Sequence, residues 1–408
     1  MDEKEYLQTL GEQIVNPHAR ASILAEIQDH IEEQAQDYRA SGMSEAVAMQ
    51  EAVRQMGDPV STGEALNQVH RPKFPIALFG LAVVLTVLGI AMQYLVYTHL
   101  TPDTAILSDT YLQRTILYNA IGLGLLLLCI FGNYMYLAKG AWILLAIFLL
   151  GLLPPWFFGF YGRQYTLCYY LALVYPLVYA LLLYRLRDKG AKAIWFLHGL
   201  TLLFLVRMLF GTIITWSTVL AAGCLTLLLL CLAIHRGILT GSSKRTLWLL
   251  TVLPYVAAAA CFVILFFQNS YMRDRLTEFL KGSNYVQQML ALEQQQMLAF
   301  GGGTISSYVD TESLASTYVL HSIFLWFGIV SGILVIVALA VLVLRSLHYA
   351  LHQSNRLALL AGTAASGILL FELLHFVLTN LGCSPVYTAS VPFLSYGFAN
   401  SVFNSLLV

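Results

Sequence analysis

FPIALFGLAVVLTVLGIAMQYLVYT, residues 74–98, contains no Asp, Glu, Lys or Arg. A helix needs about 20 apolar residues to cross the hydrocarbon core of a bilayer, so this stretch is long enough to span. Similar stretches recur near 113–137, 141–161, 165–184, 193–211, 212–235, 246–268, 318–344, 357–380 and 391–408. Over 408 residues, 58% are hydrophobic and 11% charged, against roughly 25% charged in soluble domains. No soluble core hides that much continuous apolar surface. The predicted fold is all-α, a polytopic membrane protein of about ten spans.

The N-terminal end reads differently. Residues 1–70 hold thirteen of the 22 Asp and Glu but four of the 22 Lys and Arg. Leu7, Leu10 and Ile14 mark one apolar stripe at helical spacing, and Ile23, Ile27 and Ile31 a second. Asn16-Pro17 supplies a cap and a first-turn proline, Ser44 a later cap, and Gly57-Asp58-Pro59 a stop. The expected organisation is a small cytosolic helical domain over 1–70 and a transmembrane domain over 71–408. No cleavable signal peptide is expected, because the N-terminus is polar and acidic, and the first span serves as the insertion signal.

Orientation follows from Lys and Arg in the short loops. With the N-terminus inside, the cytosolic connections take twelve basic residues and the opposite ones six. Both termini are therefore expected in the cytosol. Net charge is zero and no charge run points to nucleic acid. The six cysteines form no CxxC pair, and no metal site is legible. One long connection, 269–317, falls on the outer face. Its Tyr285, Met289, Leu292 and Phe300 suggest a helix lying in the membrane interface.

Ionisable groups at membrane depth are candidates for function because their desolvation is costly. Arg207, Glu372 and His375 are three such groups. Glu372 reads as a proton carrier, a substrate contact or a partner for Arg207. In the long loop, Arg273, Arg275, Lys281, Glu278, Glu293, Asp310 and Glu312 read either as a solvated face or as a polar mouth. In a mouth, cations would hold a phosphate while a carboxylate takes a proton from an attacking hydroxyl.

Four stretches resemble the SEDS family of cell-wall proteins. Near the C-terminus, Asn380-Leu381-Gly382, Pro385-Val386-Tyr387-Thr388 and Val391-Pro392-Phe393-Leu394-Ser395-Tyr396-Gly397 are similar to its hallmark loop. Tyr271-Met272-Arg273-Asp274-Arg275-Leu276 with Phe279-Leu280 resembles the opening of its long loop. Tyr285-Val286-Gln287 and Gly301-Gly302 resemble the continuation, and Tyr111-Leu112-Gln113 an aromatic-x-x-Gln entry to span two. Separately, Asp29-His30-Ile31-Glu32-Glu33-Gln34, Gly42-Met43-Ser44-Glu45-Ala46 and Met56-Gly57-Asp58-Pro59 resemble the HAAS domain, a partner-binding or regulatory module.

The SEDS resemblance implies a peptidoglycan glycosyltransferase that polymerises lipid II in the bacterial cytoplasmic membrane, beside a class B penicillin-binding protein. It implies Arg273, Arg275, Gln287, Ser395 and Tyr396 as substrate contacts. No cofactor is implied, although a divalent cation would suit the pyrophosphate. The family's catalytic His-Thr-Asp falls here on Ala315-Ser316-Thr317, or on Ser316-Thr317-Tyr318 with a slip of one. Neither carries a carboxylate, and a hydroxyl with a pKa near 10 or above is a poor base at neutral pH. Asp310 and Glu312, one to two helical turns upstream, are the candidate substitutes. The missing aspartate equally fits an inert scaffold, and Arg207, Glu372 and His375 would serve a transporter of lipid-linked precursors.

Overall fold

The structure, a computed structural model, describes residues 2–408 apart from 15–16, 71–74, 101–109, 133–134, 154–163, 210–215, 303–313, 315, 354 and 386–389. Asp310 and Glu312 lie outside the described residues, as do Arg71, Lys73 and Arg163. The chain divides into two compact units, Met1–Ile76 and Ala77–Val408.

The first unit holds α1 (Glu3–Gln13), α2 (Pro17–Ala40), α3 (Glu45–Gln55) and α4 (Pro59–His70). Both expected stripes turn inward: Leu10, Ile14, Ile23 and Ile31 are buried, and Leu7 and Ile27 pack against them half-buried. Tyr6 joins the same core, and its hydroxyl donates to the Met56 carbonyl at 3.1 Å. Burial pushes that hydroxyl's pKa up, since a phenolate there would lose its solvation. Asp58 Oδ2 accepts the Ser61 N–H at 2.9 Å, capping α4 one residue ahead of its Pro59 start. Asp58→Ala is expected to cost the unit about 1 kcal/mol, read as a lower midpoint in urea unfolding; an unchanged midpoint would show the cap to be idle.

Helices are the regular secondary structure of the second unit among its described residues. Among the described residues, eight helices are long and apolar enough to cross a membrane, making the chain a polytopic membrane protein. In order these are α5 (Ile76–Leu100), α6 (Tyr111–Phe131), α9 (Gln164–Arg185), α10 (Ala191–Leu209), α11 (Trp216–His235), α12 (Lys244–Gln268), α16 (Ile329–Leu351) and α17 (Arg356–Asn380). Between and after them lie α7 (Met135–Lys139), α8 (Ala141–Gly151), α13 (Ser270–Leu280), α14 (Tyr285–Gln294), α15 (Val319–Phe327) and α18 (Phe398–Leu407).

Three expected spans take another form. The third is described only as the short α8, beyond which 154–163 are not described. The tenth begins with a buried turn over 391–397, leaving the ten residues of α18 as helix. The eighth is two helices, because Gly328 at φ 91° and ψ 168° leaves the helical region between α15 and α16. That conformation is open to glycine and essentially closed to other residues.

Burial ranks the spans. Of the membrane-spanning stretch of α9, 72% is buried and of α17, 56%, against 6% of α12. α9 and α17 pack on each other and on α11, and α16 packs along α17. Tyr175 and Tyr179 of α9 and Glu372 and His375 of α17 are held inside the bundle, while α12 presents apolar side chains outward, as lipid requires.

Candidate functional site

The site is built where α14, α15 and α17 meet. Asn284 Oδ1 caps α14 by accepting the Val286 and Gln287 N–H groups at 3.1 and 3.4 Å. Three residues apart on that helix, Leu290 and Glu293 face inward and are buried. Leu290 packs with Leu314 and Tyr318. Glu293 Oε2 lies 2.7 Å from His321 Nε2, with residue exposures of 2% and 0%. A carboxylate and an imidazole so removed from water must satisfy each other, because neither has bulk solvent to fall back on.

Asn380, the last residue of α17, positions this pair. Tyr318 at the N-cap of α15 makes no side-chain cap. Instead, Asn380 Oδ1 accepts the His321 backbone N–H at 2.9 Å, and its Nδ2 donates to the Thr317 and Phe376 carbonyls at 2.9 and 2.8 Å. The cap of α15 thus comes from another helix. Beyond α15, the chain after α14 fills the break at Gly328. The first free N–H groups of α16, on Ile329 and Val330, donate to the Leu298 and Ala299 carbonyls at 2.9 and 3.2 Å.

Deeper along α17, two turns and roughly 12 Å from Asn380 at 1.5 Å per residue, lies Glu372, 1% exposed. Its Oε1 accepts from Tyr169 at 3.4 Å and Ser390 at 3.5 Å. Oε2 has no hydrogen-bond partner among the described residues. His375 is buried and stacks on Phe371. Arg207 donates from Nε to the Leu152 carbonyl, at the end of α8, at 2.8 Å. No ion pair joins Arg207 to Glu372 among the described residues, so the pairing weighed from the sequence is not the one formed.

The remaining sequence-predicted residues fall as follows. Arg273 is exposed. Arg275 donates from Nε to the Pro385 carbonyl at 3.0 Å and from Nη1 to the Tyr271 hydroxyl at 2.6 Å. Gln287 is half-buried on α14. Ser395 is buried, its Oγ accepting the Val391 N–H at 3.1 Å, and Asn400 donates to its carbonyl at 2.9 Å. Tyr396 packs on Tyr111 with ring centroids 4.5 Å apart and the rings tilted by 31°. The same turn lies against α5: a Cβ on Gly89 would stand 2.2 Å from the Phe393 carbonyl oxygen, and Gln93 donates to the Leu394 carbonyl at 3.1 Å.

The opening of the long loop and the entry to span two each touch the C-terminal stretch. Arg275 of the long loop holds Pro385, Gln294 Nε2 donates to the Leu381 carbonyl at 3.2 Å, and Tyr111 meets Tyr396. Glu293 was legible only as one of several loop charges and His321 was not singled out. The available cue was polar His321-Ser322 inside the apolar run 319–327, an expensive insertion if idle. Among the described residues no group of three or more His, Cys, Asp or Glu is placed to hold a metal.

Residues 5–61 match the HAAS family model. No curated protein matches the chain. Among solved structures, a chain described under "Structural coordination of polymerization and crosslinking by a peptidoglycan synthase complex" superposes with a TM-score of 0.54 at 17% identity. The match covers 80% of this chain and 94% of that one. At that identity the likeness is one of fold.

Proposed function

We propose that the chain is a SEDS-like glycosyltransferase of cell-wall assembly in the bacterial cytoplasmic membrane. It extends glycan from lipid II, an undecaprenyl-pyrophosphate-linked sugar, beside a class B penicillin-binding protein. The observation that carries this reading is the buried Glu293–His321 pair, held by Asn380 of the hallmark-like stretch through the His321 N–H and flanked by the Gln294–Leu381 contact. The fold shared with a chain from a peptidoglycan synthase complex supports it.

In this reading His321 is the base and Glu293 orients it. An imidazole nitrogen can accept the proton of a sugar hydroxyl as it attacks. The carboxylate stabilises the imidazolium that forms. Arg275, with Arg273 further out, supplies positive charge for the pyrophosphate leaving group. His321 is fully buried, so access to it requires a rearrangement that keeps the Glu293 contact intact.

The test is polymerisation of lipid II by the purified protein with its partner. His321→Ala is expected to lower the rate by about a hundredfold or more, the usual worth of a general base. Asp310→Ala and Glu312→Ala are expected to leave polymer formation intact. Loss of polymer in either of those variants but not in His321→Ala would move the base into the loop and sink the assignment. A second reading, an inert scaffold, is favoured by the closure of the Glu293–His321 pair to solvent. It predicts no polymer while the partner still co-purifies.

A further inference from the structure

The N-terminal unit has a groove that the proposed activity does not use. Between α2 and α4 it encloses about 570 Å3, with Ile23, Ile27 and Leu66 among its lining and Glu26, Asp29 and Glu33 beside them. The apolar side chains are buried or half-buried, whereas the three acids are exposed. Glu26, Asp29 and Glu33 recur at i, i+3 and i+7 and so share a face of α2.

Among the described residues, three of the unit's basic side chains are committed elsewhere. Arg39 pairs with Glu45 at 3.5 Å and Arg54 with Glu51 at 2.7 Å, while Arg20 donates to the Ile14 carbonyl. The titratable neighbour of the acids is His30, 3.8 Å from Glu33. An apolar floor rimmed by carboxylates that make no Lys or Arg ion pair among the described residues complements a ligand of opposite charge and similar greasiness.

We propose that this groove docks a cationic amphipathic helix of another protein. Its apolar residues, at i, i+3 or i+4, and i+7, seat on Ile23, Ile27 and Leu66. Its flanking Lys or Arg lie over Glu26, Asp29 and Glu33. Apolar burial supplies affinity in such helix-in-groove recognition, and the charges supply partner choice and on-rate. The positive-inside rule enriches Lys and Arg in the cytosolic segments beside membrane spans. The partner class is therefore the juxtamembrane segment of another membrane protein.

The full chain in phosphatidylcholine nanodiscs can be titrated with a fluorescein-labelled leucine–lysine amphipathic peptide of about four helical turns. Anisotropy is read against empty discs. Saturable binding is expected, and Glu26→Gln/Asp29→Asn/Glu33→Gln together should weaken it about tenfold and flatten its salt dependence. The three sites are exposed, so the variant should keep the parent's circular dichroism. A peptide with serine for leucine and the same charge should not bind. Equal binding by the triple variant, by the serine peptide or by a glutamate-for-lysine peptide would each overturn the proposal.

Discussion

Glu293→Ala is expected to cost about 3–5 kcal/mol of stability, the usual price of breaking a buried ion pair from one side. The magnitude follows from burial. His321 has 0% exposure, and its Nδ1 already has no hydrogen-bond partner among the described residues. Losing the contact to Glu293 Oε2 leaves the ring unable to recover its solvation. Were the pair a neutral hydrogen bond, the cost would fall to roughly 1–3 kcal/mol, so the measurement also identifies the interaction. Hydrogen exchange should rise in α14 and α15 and leave α9 protected, because the contact ties the long loop to the bundle. A double-mutant cycle with His321→Ala isolates the pair. A coupling near zero would mean that the two side chains do not hold the loop.

Gly328→Ala should be comparably damaging for a different reason. The φ 91°, ψ 168° conformation costs a residue with a side chain about 1–3 kcal/mol. The added Cβ would also stand 2.5 Å from the Ala299 carbonyl oxygen, and overpacking of that kind costs about another 1–3 kcal/mol. Relief by moving 298–301 away would strip the Ile329 and Val330 N–H groups of their acceptors. The thermal midpoint should drop and those two amides should lose exchange protection. Gly124→Ala in α6, where no atom lies within 4 Å of the new Cβ, serves as the control and should be near neutral. A Gly328→Ala protein as stable as this control would show that the break is not needed.

The two halves of the candidate site were unequally legible. Arg275 and the turn at 391–397 stood out because their stretches resemble a family pattern. Ser395 and Tyr396 serve inside the fold, through the Val391 N–H and the Tyr111 ring. Asn380 was visible as part of Asn380-Leu381-Gly382, but nothing local shows that it caps a helix 59 residues earlier in the chain. Glu293 resembled its exposed loop neighbours until Leu290, one turn away, was seen to carry it inward.

Sequence alone determined the helical, membrane-crossing character of the chain, because each span's apolar length is a local property and the bilayer reads it directly. It also marked the acidic N-terminal helices, whose periodicity needs no knowledge of partners. Only the tertiary structure decided that Glu293 faces His321, that residues 319–327 stand apart from the span that follows, and that α9 and α17 form the interior. Those outcomes depend on which surfaces pack together, and the pairing of Glu293 with His321, 28 positions apart, leaves no periodic trace in the chain.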